Sequence, residues 1–251
     1  MPRFFIKQEQ INDGRVSIVG EDAHHAARSL RMAVGDELTV CDEVGNEYLC
    51  SISEFFDDRE VIATVKSQKR SETESPYHIS LFQALPKGDK LDSIIQKSVE
   101  CGASEIYLFQ SERCVVKIKK EAEDRKNERR QRIAESAAKQ CGRSIIPKVH
   151  EAMDYSDMLE EAALCDLCLF CYEGEGTQPI GRVLKDRLLD DNGSVRTIAI
   201  IIGSEGGFSQ GEVARAEEKG MISVGLGKRI LRTETASSFA LACISCVAEL
   251  G

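Results

Sequence analysis

Two glycine-rich segments carry the side chains best suited to chemistry. The first is Gly203-Ser-Glu-Gly-Gly-Phe-Ser209, with Glu212 shortly after; the second is Gly225-Leu-Gly-Lys-Arg-Ile-Leu-Arg-Thr-Glu-Thr-Ala236. Glycines at 203, 206, 207, 225 and 227 permit positive φ and let a ligand approach the backbone closely, although tight connections use glycine for the same freedom. Glu205 and Glu234 are candidate proton acceptors, but a carboxylate in a Gly-rich loop more often fastens that loop through backbone N–H groups. Arg232 offers a fork of donors suited to an oxygen that gathers charge. Neither segment is a phosphate loop or a dinucleotide fingerprint, because G-x-x-x-x-G-K-[ST] and an early G-x-G-x-x-G are both missing.

The chain has 10 cysteines, and the triplet Cys165, Cys168 and Cys171 has the spacing of metal ligands. It falls in an apolar run that reads as a strand, whose period of two sends residues three apart to opposite faces. Cys243 and Cys246 sit in an apolar C-terminal helix. Buried reduced thiols are therefore expected, with no metal and no disulfide framework. His24 and His25 lack the i,i+4 spacing of a helical metal pair, so no metal is expected there.

The elements that would position these residues follow from periodicity. Before residue 70 come short strands at Arg3–Lys7, Arg15–Val19, Glu37–Cys41, Glu47–Ser53 and Glu60–Ser67, with one helix at Asp22–Arg31; this pattern favours a small barrel. The polar stretch Lys69–Pro76 is the expected domain boundary. Strands then alternate with helices, from His78–Ala84 and Lys90–Cys101 to Ile222–Gly225 and Thr235–Leu250, which specifies an α/β domain with a largely parallel sheet. In such sheets ligands bind beyond the C-terminal strand ends, where both glycine-rich segments lie.

Composition limits the partners. A net charge of −9 argues against coating nucleic acid or anionic membrane through bulk charge. No apolar run reaches the roughly 18 to 20 residues of a bilayer span, and polar residues from Lys7 onward come too soon for a secretory stretch, so a cytoplasmic protein without membrane contact is expected. Against the average, residues 113–143 hold 11 Lys/Arg and 5 Asp/Glu, including Lys117, Lys119, Lys120, Arg125, Lys126, Arg129, Arg130 and Arg132. From composition alone this is either a solvated helix face with i,i+4 pairs or a phosphate-binding surface.

Taken together, the segments resemble a known family: the 16S rRNA (uracil(1498)-N(3))-methyltransferases of the SPOUT superfamily. Besides the two loops, the similar text includes Ser111-Glu-Arg-Cys-Val-Val-Lys117, Ala137-Ala-Lys-Gln-Cys-Gly-Arg143 followed by Pro147, Met1-Pro-Arg-Phe-Phe5, His24-His25, Leu30-Arg31-Met32 and Gly35-Asp36, in order over nearly the whole chain. The chain departs from the family at Ser204, usually Pro, and at Lys139, commonly Glu. Ser204 leaves φ free where Pro would have fixed it, so some effect on cofactor affinity is expected.

The resemblance implies a PUA-like β-barrel RNA-binding domain at residues 1–70 and a SPOUT methyltransferase domain at 76–251, whose C-terminal trefoil knot holds S-adenosylmethionine. The cofactor loops map to the end of strand Asp166–Tyr172, to Ile202–Gly206 and to Gly225–Ala236. The expected cofactor-binding residues are Ile202, Gly203, Glu205, Gly206, Leu226, Gly227, Ile230, Leu231, Arg232, Thr235 and Ala236. Leu226, Ile230 and Leu231 would supply apolar and main-chain contacts to the adenine. Arg232, Glu234 and Arg113 are the expected catalytic residues, with Glu234 either accepting a proton or holding Arg232. Arg3, Arg28, Arg31, Arg129, Arg130 and Arg143 are the expected RNA contacts. The implied partner is 16S rRNA in the small ribosomal subunit, and the implied assembly is a homodimer. A non-catalytic RNA-binding factor on the same fold and a tRNA-modifying relative are the rival readings.

Overall fold

A computed structural model describes residues 1–118, 123–189 and 193–250. Lys119 and Lys120 lie outside the described residues. The chain divides into two units: Met1–Glu74 with Ala138–Ile146, and Ser75–Ala137 with Pro147–Gly251.

The first unit is built on a six-stranded sheet in the order β1-β4-β5-β6-β3-β2. Its strands are β1 (Arg3–Phe5), β2 (Ile11–Asn12), β3 (Arg15–Val19), β4 (Glu37–Cys41), β5 (Asn46–Phe56) and β6 (Glu60–Arg70). Only β1 and β4 pair in parallel. Alternation places Leu38, Val40, Cys50, Ile52, Val61 and Ala63 on one inner face, where they meet Phe4, Ile6, Val16 and Ile18. Irregular register between Leu49 and Cys50, and between Ile52 and Glu54, interrupts the long β5–β6 ladder. The helix expected over 22–31 is shorter and less regular: α1 covers Glu21–His24, a wider π turn follows at His25–Ser29, and the chain leaves it where Arg31 adopts φ +52°. β1 likewise stops at Phe5, not at Lys7.

The second unit carries an entirely parallel sheet in the order β11-β13-β10-β12-β7-β8-β9. These strands are β7 (His78–Ala84), β8 (Glu105–Gln110), β9 (Lys148–Asp154), β10 (Leu167–Cys171), β11 (Gln178–Pro179), β12 (Thr197–Ile202) and β13 (Ile222–Gly225). β12, Thr-Ile-Ala-Ile-Ile-Ile, lies between β7 and β10 and is buried from Ile198 onward, as an unbroken apolar run requires when both sheet faces are covered. The helices are α2 (Lys90–Glu100), α3 (Glu123–Cys141), α4 (Tyr155–Ala162), α5 (Ile180–Leu188), α6 (Gln210–Glu218) and α7 (Thr233–Ala248). α2 buries Ile94, Ile95 and Val99 at helical spacing.

Residues 138–146, the end of α3 and the loop after it, belong to the first unit. Glu74 secures them. Its carboxylate accepts hydrogen bonds from Arg143 Nε (3.0 Å), Ser144 N (2.9 Å), Ser144 Oγ (3.2 Å) and Ile145 N (3.2 Å). Lys139 Nζ also reaches Asp22, at 2.8 Å.

The cysteines are less uniformly buried than expected. Cys41, Cys50 and Cys114 are buried, but Cys141 and Cys246 are exposed, because each falls on the solvent side of its helix. Burial pushes the Cys171 thiol up to about 12, so it stays protonated at neutral pH. Among the described residues no group of His, Cys, Asp and Glu is arranged to hold a metal, and no helix is long and apolar enough to cross a membrane.

Candidate active site

A cleft of about 850 Å³ opens in the second unit, where β10, β12 and β13 end. It lies within the size range of small-molecule sites. Its wall is formed by Cys171–Gly174 with Thr177, by Ile202–Phe208 and by Gly225–Thr233, and Lys90 and Arg113 reach it from neighbouring elements. All three strands deliver their loops to one edge because they run parallel, so residues 171, 203 and 225 converge despite their separation in sequence.

The loops are held by buried polar groups. Glu212, only 1% exposed, forms a capping box with Ser209 at the start of α6: Glu212 N donates to Ser209 Oγ, and Ser209 N donates to Glu212 Oε2 at 2.8 Å. The other carboxylate oxygen accepts from Glu112 N at 2.8 Å, which ties the β8 loop to the β12 loop. Phe208 anchors the same loop against Phe170, with ring centroids 4.3 Å apart. Across the cleft, Thr233 Oγ1 donates to the Gly203 carbonyl (2.7 Å) and accepts from Gln83 Nε2 (2.9 Å). This buried link starts α7 at Thr233, two residues before the expected start. Arg232 is thereby left at the extended N-cap position, exposed on the cleft wall.

Two glycines are required by close approach. A Cβ at Gly206 would stand 2.9 Å from Arg113 Cβ and 3.2 Å from the Arg113 carbonyl oxygen. A Cβ at Gly203 would meet Phe208 Cε2 at 3.0 Å and Gly207 Cα at 3.3 Å. Arg113 Nη1 in turn donates to the Gly206 carbonyl at 3.1 Å.

Glu205 fastens its loop, as a carboxylate there most often does. It accepts from Lys90 Nζ at 2.8 Å and from Lys87 N at 3.2 Å. Burial works against its ionisation, but the hydrogen bonds from Lys90 and from backbone amides win and hold its pKa below the ordinary value. Lys90 is pulled the other way: its hydrogen bond to Glu205 raises its pKa against desolvation, so it remains an ammonium. The same Nζ lies 3.5 Å from Glu234 Oε2, a buried oxygen without a hydrogen-bond partner among the described residues. Glu234 is thus drawn to Lys90 and does not hold Arg232, which removes one of its two expected roles.

The structure brings most of the expected cofactor residues together. Ile202, Gly203, Glu205, Gly206, Leu226, Gly227, Ile230, Leu231, Arg232 and Ala236 line the cleft. Thr235 does not: it turns to solvent in the first turn of α7, and its N–H bonds the Arg232 carbonyl at 2.8 Å. Ile230 is 85% exposed, so any apolar contact it makes is with a molecule entering from outside. Sequence reasoning placed a cofactor loop at the end of strand Asp166–Tyr172 but missed Lys90, Gln83 and the continuation through Glu173 and Gly174. Lys90 had a usable signal, since it follows β7 at the same C-terminal edge where the glycine-rich loops were sought.

The expected RNA contacts fare differently. Arg3 is largely buried and donates to Glu47 (2.9 Å) and Cys41 Sγ (2.9 Å). Arg130 is buried against Glu123, and Arg143 is buried against Glu74. Releasing any of these to a phosphate would take the guanidinium partner from a carboxylate within the protein. Arg129 is paired with Asp92 but exposed, and Arg28 shares Asp58 with His24. Arg31 is exposed.

Comparison with known proteins fits this site. The RNA methyltransferase domain family matches residues 73–245, and an RNA methyltransferase PUA domain matches residues 18–66. This chain belongs to the RNA methyltransferase family. A Bacillus subtilis relative, ribosomal RNA small subunit methyltransferase E, is 35% identical over 100% of this chain and 98% of its own. The protein of that name from Synechocystis is 31% identical over 98% of this chain and 78% of its own. Among solved structures, a ribosomal RNA small subunit methyltransferase E from Neisseria gonorrhoeae bound to S-adenosyl methionine superimposes with a TM-score of 0.83, at 28% identity, covering 98% of each chain. The cleft and the segments that form it all lie within the matched methyltransferase domain.

Proposed function

We propose that this protein transfers the methyl group of S-adenosylmethionine to N(3) of one uridine in the 16S rRNA of the small ribosomal subunit. The observation that carries the reading is the cleft at the ends of β10, β12 and β13, with glycines where its walls approach closely and Arg232 exposed beside them. Relatives that match nearly the whole of this chain and are named for small-subunit rRNA methylation support the substrate, and a related structure with S-adenosyl methionine bound supports the cofactor.

The residues present fit that cofactor. Gly203 and Gly206 stand where a side chain would disturb the loop, and Ser204 Oγ is buried without a hydrogen-bond partner among the described residues. Ile202, Gly203, Gly206, Leu226, Gly227, Leu231 and Ala236 would hold it, with Glu205 acting as a brace for the loop. When bound, it supplies an electrophilic methyl on a sulfonium. Uracil N(3)–H lies between two carbonyls, so charge gathers on their oxygens as the proton passes to water and the N–CH₃ bond forms while the S–CH₃ bond breaks. Arg232 and Arg113, which both line the cleft, would donate to those oxygens. Neither Glu205 nor Glu234 stands free as a base, because Lys90 engages both.

The wider arrangement belongs to the same proposal. Residues 1–70 form a PUA-like barrel that presents Arg28 and Arg31 to RNA. Residues 76–251, apart from the 138–146 segment that belongs to the first unit, form the catalytic domain, with the chain knotted around the cofactor loops. The protein acts in the cytoplasm as a homodimer. Mass spectrometry of 16S rRNA from cells lacking and then regaining the gene tests the reading. One methyluridine should vanish and return, and unchanged rRNA in both strains would refute it.

A further inference from the structure

The cleft mouth carries positive charge that the described residues neutralise only in part. Lys90, Arg113, Lys228, Arg229 and Arg232 line it, against the carboxylates Glu173 and Glu205, and Lys90 already occupies Glu205. Lys228 and Arg229 are exposed, and among the described residues neither has a carboxylate within ion-pair distance. The contrast with α3 is sharp. Lys126 and Arg130 pair with Glu123, Arg129 with Asp92, Arg132 with Glu128 and Lys139 with Asp22, which leaves only Arg125 of that helix without a partner among the described residues.

A phosphate gains most from a cation that gives up no internal partner to meet it, and that releases bound counterions when they meet. The loop between β13 and α7 offers two such cations in succession, on a segment whose far end Thr233 pins to Gly203. A base that is to be methylated must come out of its stack, and its flanking phosphates then arrive at the cleft mouth with it.

We infer that Lys228 and Arg229 form the phosphate-binding rim that receives the RNA strand on either side of the target base, so that the main electrostatic contact lies on the cofactor loop and not on α3. The inference rests on the methyl-transfer reading above and adds the surface through which the substrate is held. Neighbouring phosphates contribute affinity and position; they carry no sequence information.

The test uses the full chain and purified small subunits from cells lacking the gene. Binding is measured across a salt series, and KM and kcat at one salt concentration. The Lys228→Gln/Arg229→Gln variant should lose roughly 1.5 from the slope of log K against log salt, since each phosphate contact contributes about 0.7 to 0.9. Its KM for subunits should rise about tenfold. A Lys126→Gln/Arg132→Gln variant on α3 should keep the slope within about 0.5 on the same scale. The exchange Lys228→Arg/Arg229→Lys preserves charge and should restore binding, which excludes a folding defect. An unchanged slope in the Gln variant, or a larger loss in the α3 variant, overturns the inference. Absence of methyl incorporation by the wild-type chain would instead overturn the functional reading, and the salt series distinguishes the two failures.

Discussion

α3 and the loop from Gly225 to Arg232 are both rich in positive charge, yet they present it differently. α3 has the larger number of cations but surrounds them with Glu123, Glu128 and Asp92, and buries Arg130 outright. The loop has fewer, and Lys228, Arg229 and Arg232 remain exposed beside the cleft. Charge that is already paired stabilises the fold, and charge left unpaired is available to a ligand. Density along the sequence measures neither.

The largest expected separation between the two regions comes from arginine replacements. Arg232→Ala should lower single-turnover methyl transfer by about 10²- to 10³-fold, the typical loss for one charge-stabilising donor, with S-adenosylmethionine affinity by calorimetry changed only a few-fold. Equal losses in rate and cofactor affinity would return Arg232 to a binding role. Arg130→Ala should behave in the opposite way. It leaves the buried Glu123 carboxylate with only the more distant Lys126 and should cost about 3 kcal/mol in urea unfolding, with little change in the rate measured on folded protein.

A smaller effect is expected within the cleft wall. Gly206→Ala pushes a methyl against Arg113 and should weaken cofactor binding about tenfold, or about 1.4 kcal/mol, and wild-type affinity would show that the loop yields freely. Acid should act on the same wall through Glu205. Its folded pKa lies below the ordinary 4.5, so its brace is complete above that value and is lost as pH falls through the lower folded value. Cofactor affinity should therefore hold from neutral pH to about 4.5 and decline below it, and Glu205→Gln should flatten that decline. The smallest change belongs to the surface of α3. Arg132→Gln, removing an exposed i,i+4 partner of Glu128, should alter stability by no more than about 0.5 kcal/mol in the same unfolding assay.

Much of this was legible without coordinates. The apolar run of β12 and the 3.6-residue spacing in α2 are local signals, and each element forms as periodicity dictates. The cleft was legible too, because glycine-rich connections after parallel strands lie at one edge whatever the strand order. Thr235 was misplaced for a non-local reason: Gln83, on β7, draws Thr233 inward through a buried hydrogen bond and moves the helix start. Cys141, at the end of the charged α3, and Cys246, in the apolar α7, were misjudged because residue type alone does not reveal which helix face meets solvent.

The sequence by itself determined the elements, the parallel character of the second sheet and the two loops that do chemistry, since these depend on residues near one another in the chain. Tertiary structure alone decided which charges are free. Arg143 and Glu74 stand 69 residues apart, and Lys90 and Glu205 are 115 apart. A side chain's availability depends on the carboxylate that folding brings beside it. Only the folded chain separates Arg143, buried in its pair, from Arg229, which faces water.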